Sequence, residues 1–262
     1  MPDDALFDYT MQNRRAWNEI ASVRAAIFPP AEFFARGGST LDPQVCEAAR
    51  EFFGDLRNLR VIHLQCATGE DTLSWAVLGA LATGVDISDE QIELAKKKAA
   101  GANLPVRFIA ADLYALPPDL LNSFDIVFTG GGALVWLPDL PRWAQVAASL
   151  LKPGGRLMLM DEHPISGVLW SENGQLKVVD DYFRRSQPLA ETGWSHFKGA
   201  ENAKETKYEF IWPLGDVLNA LIKAGLVIER LEEFPGGPEW RFGENQAEAA
   251  QLPGAYLLVA RK

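Results

Sequence analysis

The stretch Arg60-Val61-Ile62-His63-Leu64-Gln65-Cys66-Ala67-Thr68-Gly69-Glu70-Asp71 constrains this chain more than any other. An apolar, β-prone run (Val61, Ile62, Leu64) stops at small residues, and Asp71, Leu73, Trp75, Ala76 and Leu78 then follow a helical period. The expectation is strand, tight turn, helix. Such a turn aims free backbone N–H groups and a helix N-terminus at whatever lies above the sheet, which suits a nucleotide-like ligand. Glu70 and Asp71 agree with the helix dipole but would repel a phosphate placed there. A ligand bearing an amino acid ammonium and a ribose fits better.

Around this stretch the rhythm is strand, helix, strand. Before it, Asn13 to Ala21 reads as a helix with Trp17, Ile20 and Ala21 on one face, and Gly37-Gly38-Ser39-Thr40 as a loop. Asp42-Pro43 opens a helix that buries Val45, Ala48, Ala49 and Phe52 and stops at Gly54. After it come a strand over 82–86, a helix from Asp89 to Ala100 capped by Ser88, a strand over 106–110 and another over 124–128. Lysines 96 to 98 fall near that helix's C-terminal end, where its dipole favours them. Trp143, Val146, Ala147, Leu150 and Leu151 mark a buried helix face, and Lys152-Pro153-Gly154-Gly155 turns into a strand over 156–160. Pro213 starts a last helix with Val217, Leu218, Ala220, Leu221 and Ile222, followed by strands over 226–228 and 255–260. Alternation of this kind means a parallel α/β sheet with right-handed crossovers. Residues 163–207 show no strong period, and with residues 1–40 they read as a cap over the carboxyl edge of the sheet.

At 262 residues the chain is one large domain, or a domain and a cap, with a core of ordinary size. No apolar run is long enough to cross a membrane, and Met1-Pro2-Asp3-Asp4 is unlike a signal peptide. Cys46 and Cys66 read as reduced thiols, and a cytoplasmic location is expected. A net charge of −10 argues against a general electrostatic grip on nucleic acid and favours a small-molecule substrate. The sequence does not specify an oligomeric state, and no residues are assigned to a metal.

Ligands of an open parallel sheet sit beyond the carboxyl ends of its strands. Asp86, at the end of the second strand, stands where an acid accepts ribose hydroxyls; the alternative is a helix cap, a task Ser88 already performs. Asp112, after the third strand, either accepts from an adenine amino group or caps the turn into Leu113-Tyr114.

Val61 to Gly69, Gly84-Val85-Asp86-Ile87-Ser88, Ala111-Asp112, Phe124-Asp125-Ile126-Val127 and Leu151-Lys152-Pro153-Gly154-Gly155 together resemble the class I S-adenosylmethionine-dependent methyltransferases. The resemblance covers residues 55–165 and returns at 214–230 and 255–261. It is nearer to uncharacterised bacterial members that share His63-Leu64-Gln65-Cys66, Trp136-Leu137-Pro138-Asp139-Leu140, Arg142-Trp143, His163-Pro164 and Asn13-Arg14-Arg15-Ala16-Trp17. It implies a Rossmann-like fold: a seven-stranded, mostly parallel sheet with an antiparallel last strand and helices on both faces. An N-terminal helical cap over 1–54 would precede a methyltransferase domain over 55–262 with a cap inserted at about 163–207. S-adenosylmethionine would be the cofactor. Gln65, Cys66, Ala67 and Gly69 would pass under its methionine part, with Thr129 and Gly130 beside them. Asp86 and Ile87 would hold ribose and adenine, and Ala111, Asp112 and Leu113 would edge the adenine. His63 replaces the usual strand acid, as a structural partner or a cofactor contact. Gln65 and Ala67 replace glycines, and Gln65 predicts an ordinary φ/ψ there.

Methyl transfer needs alignment and exclusion of water, and a base only where the nucleophile carries a proton. His163, beside Asp161 and Glu162, is the candidate base, the alternative being a link between cap and sheet; His196 either touches substrate or is solvated. Trp17, Trp136, His163 and Tyr182 are expected near the substrate, and Arg14, Arg15, Arg142, Arg184 and Arg185 are possible carboxylate ligands. A nicotinamide-dependent oxidoreductase is disfavoured because only Gly69 of its glycine pattern survives. A non-catalytic cofactor-binding relative is the other alternative, supported by Gln65 and Ala67.

Overall fold

The apolar runs form strands because their alternate side chains meet apolar layers on both faces of one sheet. The structure, a computed structural model, describes residues 3–184 and 187–262. Helix α1 (Asp3–Ile27) is followed by α2 (Ala31–Ala35) and α3 (Pro43–Phe53), the last capped by Asp42, which accepts the Gln44 N–H. The alternating core comprises β1 (Arg60–Leu64), α4 (Glu70–Val77), β2 (Leu81–Asp86), α5 (Asp89–Ala102), β3 (Arg107–Ala110), β4 (Phe124–Gly130), α6 (Leu140–Leu150) and β5 (Leu151–Glu162). An insertion carries α7 (Pro164–Gly167), the hairpin β6 (Leu169–Glu172) and β7 (Gln175–Val178), and the antiparallel pair β8 (Leu189–Glu191) and β9 (Lys207–Glu209). Helix α8 (Leu214–Lys223) leads to β10 (Val227–Pro235) and β11 (Pro253–Arg261).

Seven strands form the sheet in the order β10-β11-β5-β4-β1-β2-β3. Strands β1 to β5 pair in parallel, and β11 runs antiparallel to both β5 and β10. This is the sheet the sequence reading expects, and its order reverses between β1 and β4, where a parallel sheet opens a crevice. One face buries Ile62, Leu64, Val127 and Leu157 under α6 and α8, with Trp143 fully enclosed. The other buries Val61, Ile126 and Met158 under Val45, Ala48 and Ala49 of α3. A domain boundary at residue 54 thus separates α3 from the sheet face it covers.

Several expectations need adjustment. Helix α1 runs well beyond Asn13–Ala21, α2 falls where no helix was read, and β10 extends to Pro235. Residues 163–207 contain α7 and short strands whose pairing partners lie outside any local period. Ile222 is exposed, while Phe52 and Val146 are only half-buried. No basic residue lies in the last turn of α5; Lys98 instead turns inward to Glu70.

Candidate active site

The crevice starts at the turn between β1 and α4. Gln65 (φ +58°), Ala67 (φ +48°) and Gly69 (φ +83°) all stand in the left-handed region. The expectation of an ordinary backbone at Gln65 is therefore wrong: the turn keeps the glycine-type geometry without the glycines. Hydrogen bonds to two neighbouring loops hold it. Gln65 Nε2 donates to the Ala133 carbonyl at 2.8 Å, and the Ala67 N–H donates to Asp86 Oδ2 at 2.8 Å. Gly69 caps α4 and lies outside the cavity described below; a Cβ there would stand 2.7 Å from the Phe108 ring, so its role is packing.

Asp86 ends β2 with its side chain buried at the cavity wall. Its Oδ1 accepts the Ser88 N–H at 2.8 Å while Oδ2 takes that of Ala67, so the carboxylate ties the first two loops together. Burial raises its pKa, and the two N–H donors partly counter that. Each oxygen retains acceptor capacity. Asp112 accepts the Tyr114 N–H at 2.9 Å, the turn-capping alternative, and still lines the cavity. At the end of β4, Gly131 and Gly132 have φ near +75°, and Asp161 of β5 accepts the N–H groups of Gly132, Ala133 and Leu134 at 2.6–3.1 Å. Burial pushes Asp161 up to about 6.

These loop ends open into one cavity of about 1210 Å³. His63, Gln65, Cys66, Ala67, Asp86, Ile87, Ala111, Asp112, Leu113 and Gly130 line it. Thr129 does not; it is wholly buried one residue behind Gly130, because alternate residues of β4 face opposite sides. The His63 Nδ1 lies 3.0 Å from Thr72 Oγ1, while its Nε2 is buried without a partner among the described residues, and burial pushes its pKa down to about 3. The ring is neutral. Cys66 is buried as well, which holds its thiol above the usual range.

The cap closes the cavity from above. Arg24 of α1 pairs with Glu70 at 3.0 Å, Lys98 pairs with the same carboxylate, and Asn18 donates to Asp89 at 2.8 Å. Burial alone would raise the Glu70 pKa, but the two cations bring it below normal. The acidic start of α4 thus anchors α1. Trp17, Trp136 and Trp194 form a triad with ring centroids 4.4–5.4 Å apart, and all three line the cavity.

His163 is not placed to act as a base. Its Nδ1 accepts the Ile165 N–H at 3.1 Å, which leaves Nε2 carrying the proton, and Nε2 lies 3.0 Å from Glu233 Oε1. Nδ1 caps α7 and Nε2 ties the end of β5 to β10, so His163 lines the cavity with both nitrogens engaged. Tyr182 lies outside the cavity, its hydroxyl accepting the Leu214 N–H at 3.1 Å. His196 lines the cavity, stacked 4.9 Å from Trp240, and burial pushes it down to about 4. Of the arginines, Arg14 pairs with Asp89, Arg142 lies over the Tyr114 ring and Arg184 pairs with Asp180; Arg185 lies outside the described residues. The sequence reading passed over Glu162 and Arg241, both of which line the cavity. An acid at the end of a parallel strand signalled the first, but the adjacent histidine drew the assignment. No local pattern pointed to the second.

A seven-stranded sheet of this order, with an acid closing β2 and a left-handed turn closing β1, is the fold of class I S-adenosylmethionine-dependent methyltransferases. The methyltransferase domain family matches residues 61–155. Ubiquinone biosynthesis O-methyltransferase from Coxiella burnetii is 30% identical over 152 residues, 55% of this chain and 64% of that protein. The chain thus spans less than two thirds of that relative's length. The 27-O-demethylrifamycin SV methyltransferase of Amycolatopsis mediterranei is 38% identical over 109 residues, 39% of this chain and 38% of its own. The crystal structure of an S-adenosylmethionine-dependent methyltransferase from Mesorhizobium loti superposes with a TM-score of 0.61 at 26% identity, covering 82% of this chain and 96% of that one. The chain thus has the class I S-adenosylmethionine-dependent methyltransferase fold, and its residues 61–155 match the methyltransferase domain family.

Proposed function

We propose that this protein moves the methyl group of S-adenosylmethionine to a small-molecule acceptor held under the cap. The carrying observation is a cavity that joins the Asp86 and Gln65–Ala67 loop ends to a tryptophan-walled chamber. At about 1210 Å³ it exceeds the roughly 300–1,000 Å³ of a site for one drug-sized ligand, leaving room for donor and acceptor together.

The residues fit that donor. The Asp86 carboxylate would accept the ribose hydroxyls, with Ile87, Ala111, Asp112 and Leu113 around the adenine. Gln65, Cys66, Ala67 and Gly130 would flank the methionine part, and the unpartnered His63 Nε2 and Gln65 Oε1 are buried polar atoms that a ligand would satisfy. When bound, the donor supplies a methyl carbon already activated by a sulfonium. The protein then has to hold the acceptor in line and keep water out, which the α1 anchor and the Trp17–Trp136–Trp194 wall do. Two named relatives are O-methyltransferases of small molecules, which supports an acceptor of that kind. The net charge of −10 favours it over nucleic acid, and with no helix among the described residues able to span a membrane, we place the protein in the cytoplasm.

Titration with S-adenosylhomocysteine tests the reading. At a hundred times its Kd the ligand contributes about 2.7 kcal/mol, or a Tm rise of roughly 5–10 °C for a chain of this size. Asp86→Asn should weaken binding by about 1–3 kcal/mol. No Tm shift with S-adenosylhomocysteine but one with NAD would reverse the assignment.

A further inference from the structure

Away from the β1 turn, charged side chains line the cavity, and most are matched within the protein. Lys207 pairs with Glu191 at 3.0 Å and Glu209 at 2.6 Å, and Arg184 pairs with Asp180 at 2.8 Å. Glu162 and Arg241 are different. Glu162, the last residue of β5, opens into the cavity, and among the described residues its carboxylate makes no hydrogen bond or ion pair. Its Oε1 is 3.8 Å from where a Cβ on Gly132 would stand, beside the loop assigned to the methionine end of the donor. The Arg241 guanidinium lies 4.6 Å from the Trp240 ring and 5.4 Å from that of Trp170. Among the described residues it makes one long hydrogen bond, from Nη1 to the Gly167 carbonyl at 3.4 Å, and its Nε is buried without a partner.

Neither side chain has a hydrogen-bonded ionic partner among the described residues, although each feels the other's charge, so two groups of opposite sign on one cavity define a ligand that would pair with both. Resting on the methyltransferase reading, we propose that Glu162 and Arg241 form the acceptor subsite for a hydroxylated aromatic anion. Glu162 accepts the proton of the hydroxyl nucleophile, and Arg241 grips the carboxylate or similar anionic group at the other end. The indole of Trp170, which lines the same cavity, supplies an apolar wall for a flat ring. In the reaction the acceptor oxygen gains the methyl carbon as the donor C–S bond breaks. The electron pair of that bond returns to sulfur, and the hydroxyl proton passes to Glu162. An amine reacts through a lone pair that carries no proton, whereas a neutral hydroxyl must lose one, which is what a carboxylate without partners can receive. Burial raises the Glu162 pKa, with Glu209 adding to that and Arg241 opposing it, which is the direction that makes a carboxylate a stronger base.

The test uses 3,4-dihydroxybenzoate and 3,4-dihydroxybenzyl alcohol on the protein loaded with S-adenosylhomocysteine, followed by tryptophan fluorescence. The acid should bind at least about tenfold tighter than the alcohol, about the worth of a charge-assisted pair. Arg241→Met should abolish that difference and Arg241→Lys retain part of it, both with unchanged affinity for S-adenosylhomocysteine. With S-adenosylmethionine, Glu162→Gln should slow methylation of the acid at least about a hundredfold and remove the acid limb of the rate profile, with Glu162→Asp recovering part. The base acts ionised, so the wild-type rate rises with pH through that limb. A limb surviving in Glu162→Gln would belong to Asp161, the neighbouring buried acid, and would overturn the assignment. So would equal binding of acid and alcohol, no binding of either, or methylation confined to amines. Loss of S-adenosylhomocysteine binding itself would instead sink the donor reading.

Discussion

Two residues carry backbone strain at the β1 turn, and they differ in how it is offset. A left-handed non-glycine residue costs roughly 1–2 kcal/mol. Gln65 recovers about 1 kcal/mol through its hydrogen bond to Ala133, whereas the Ala67 methyl makes no such bond. Ala67→Gly should therefore stabilise the protein by about 0.5 kcal/mol after the extra unfolded-state entropy of glycine is counted, and Gln65→Gly should not. Chemical denaturation of the pair checks this; equal effects would show that the side-chain bond contributes nothing. The residue types here were legible as a tight turn, but their φ angles were not. Gln65 is held by Ala133, a carbonyl 68 residues away in sequence, and no local pattern encodes that partner.

Helix α1 and the β1–α4 junction are joined by one buried carboxylate. Replacing Arg24 by Met leaves Glu70 with Lys98 and Thr68 but removes the link to α1. The expected loss is about 1–3 kcal/mol, read by denaturation, together with faster hydrogen exchange confined to α1. Protection unchanged in α1 would show that the Asn18 and Arg14 bonds to Asp89 and the tryptophan packing seat it without Arg24. Gly69→Ala should cost about 2–4 kcal/mol, from the left-handed φ and the Phe108 contact, and weaken the fold whether or not donor is present. Elements with a full apolar period, such as α6 and the parallel strands, were readable from sequence because burial imposes that period. Strands β6 to β9 were not, since each is short and gains its order from a partner strand or from the cap.

For the whole molecule, acid stability reports how deeply the site is enclosed. His63 is neutral in the folded protein with a pKa near 3, against about 6.5 when unfolded. The unfolded chain therefore binds the extra proton first. The contribution is intact above pH 6.5 and is lost as pH falls toward 3, by about 1.4 kcal/mol per unit. Asp71 and Asp161, raised to about 6, act in the opposite direction between pH 4 and 6. They conceal the histidine in the wild-type curve. The comparison with His63→Gln exposes it: the stability gap between the two proteins should shrink as pH falls from 6.5 to 4.5, and a constant gap would mean His63 is hydrated.

The chain by itself determined the sheet, the loops that face the crevice and the acid that ends β2, because strand and helix periods and turn residues act over a few positions. Only the tertiary structure decided which polar groups are already satisfied. His163 reads as a base until Ile165 and Glu233 occupy both its nitrogens, and Glu162 and Arg241 stand out only once both are seen to line the cavity without a close ionic partner among the described residues. Hydrogen bonding and desolvation are settled by atoms brought together from distant parts of the chain, and those define the chemistry of the cavity.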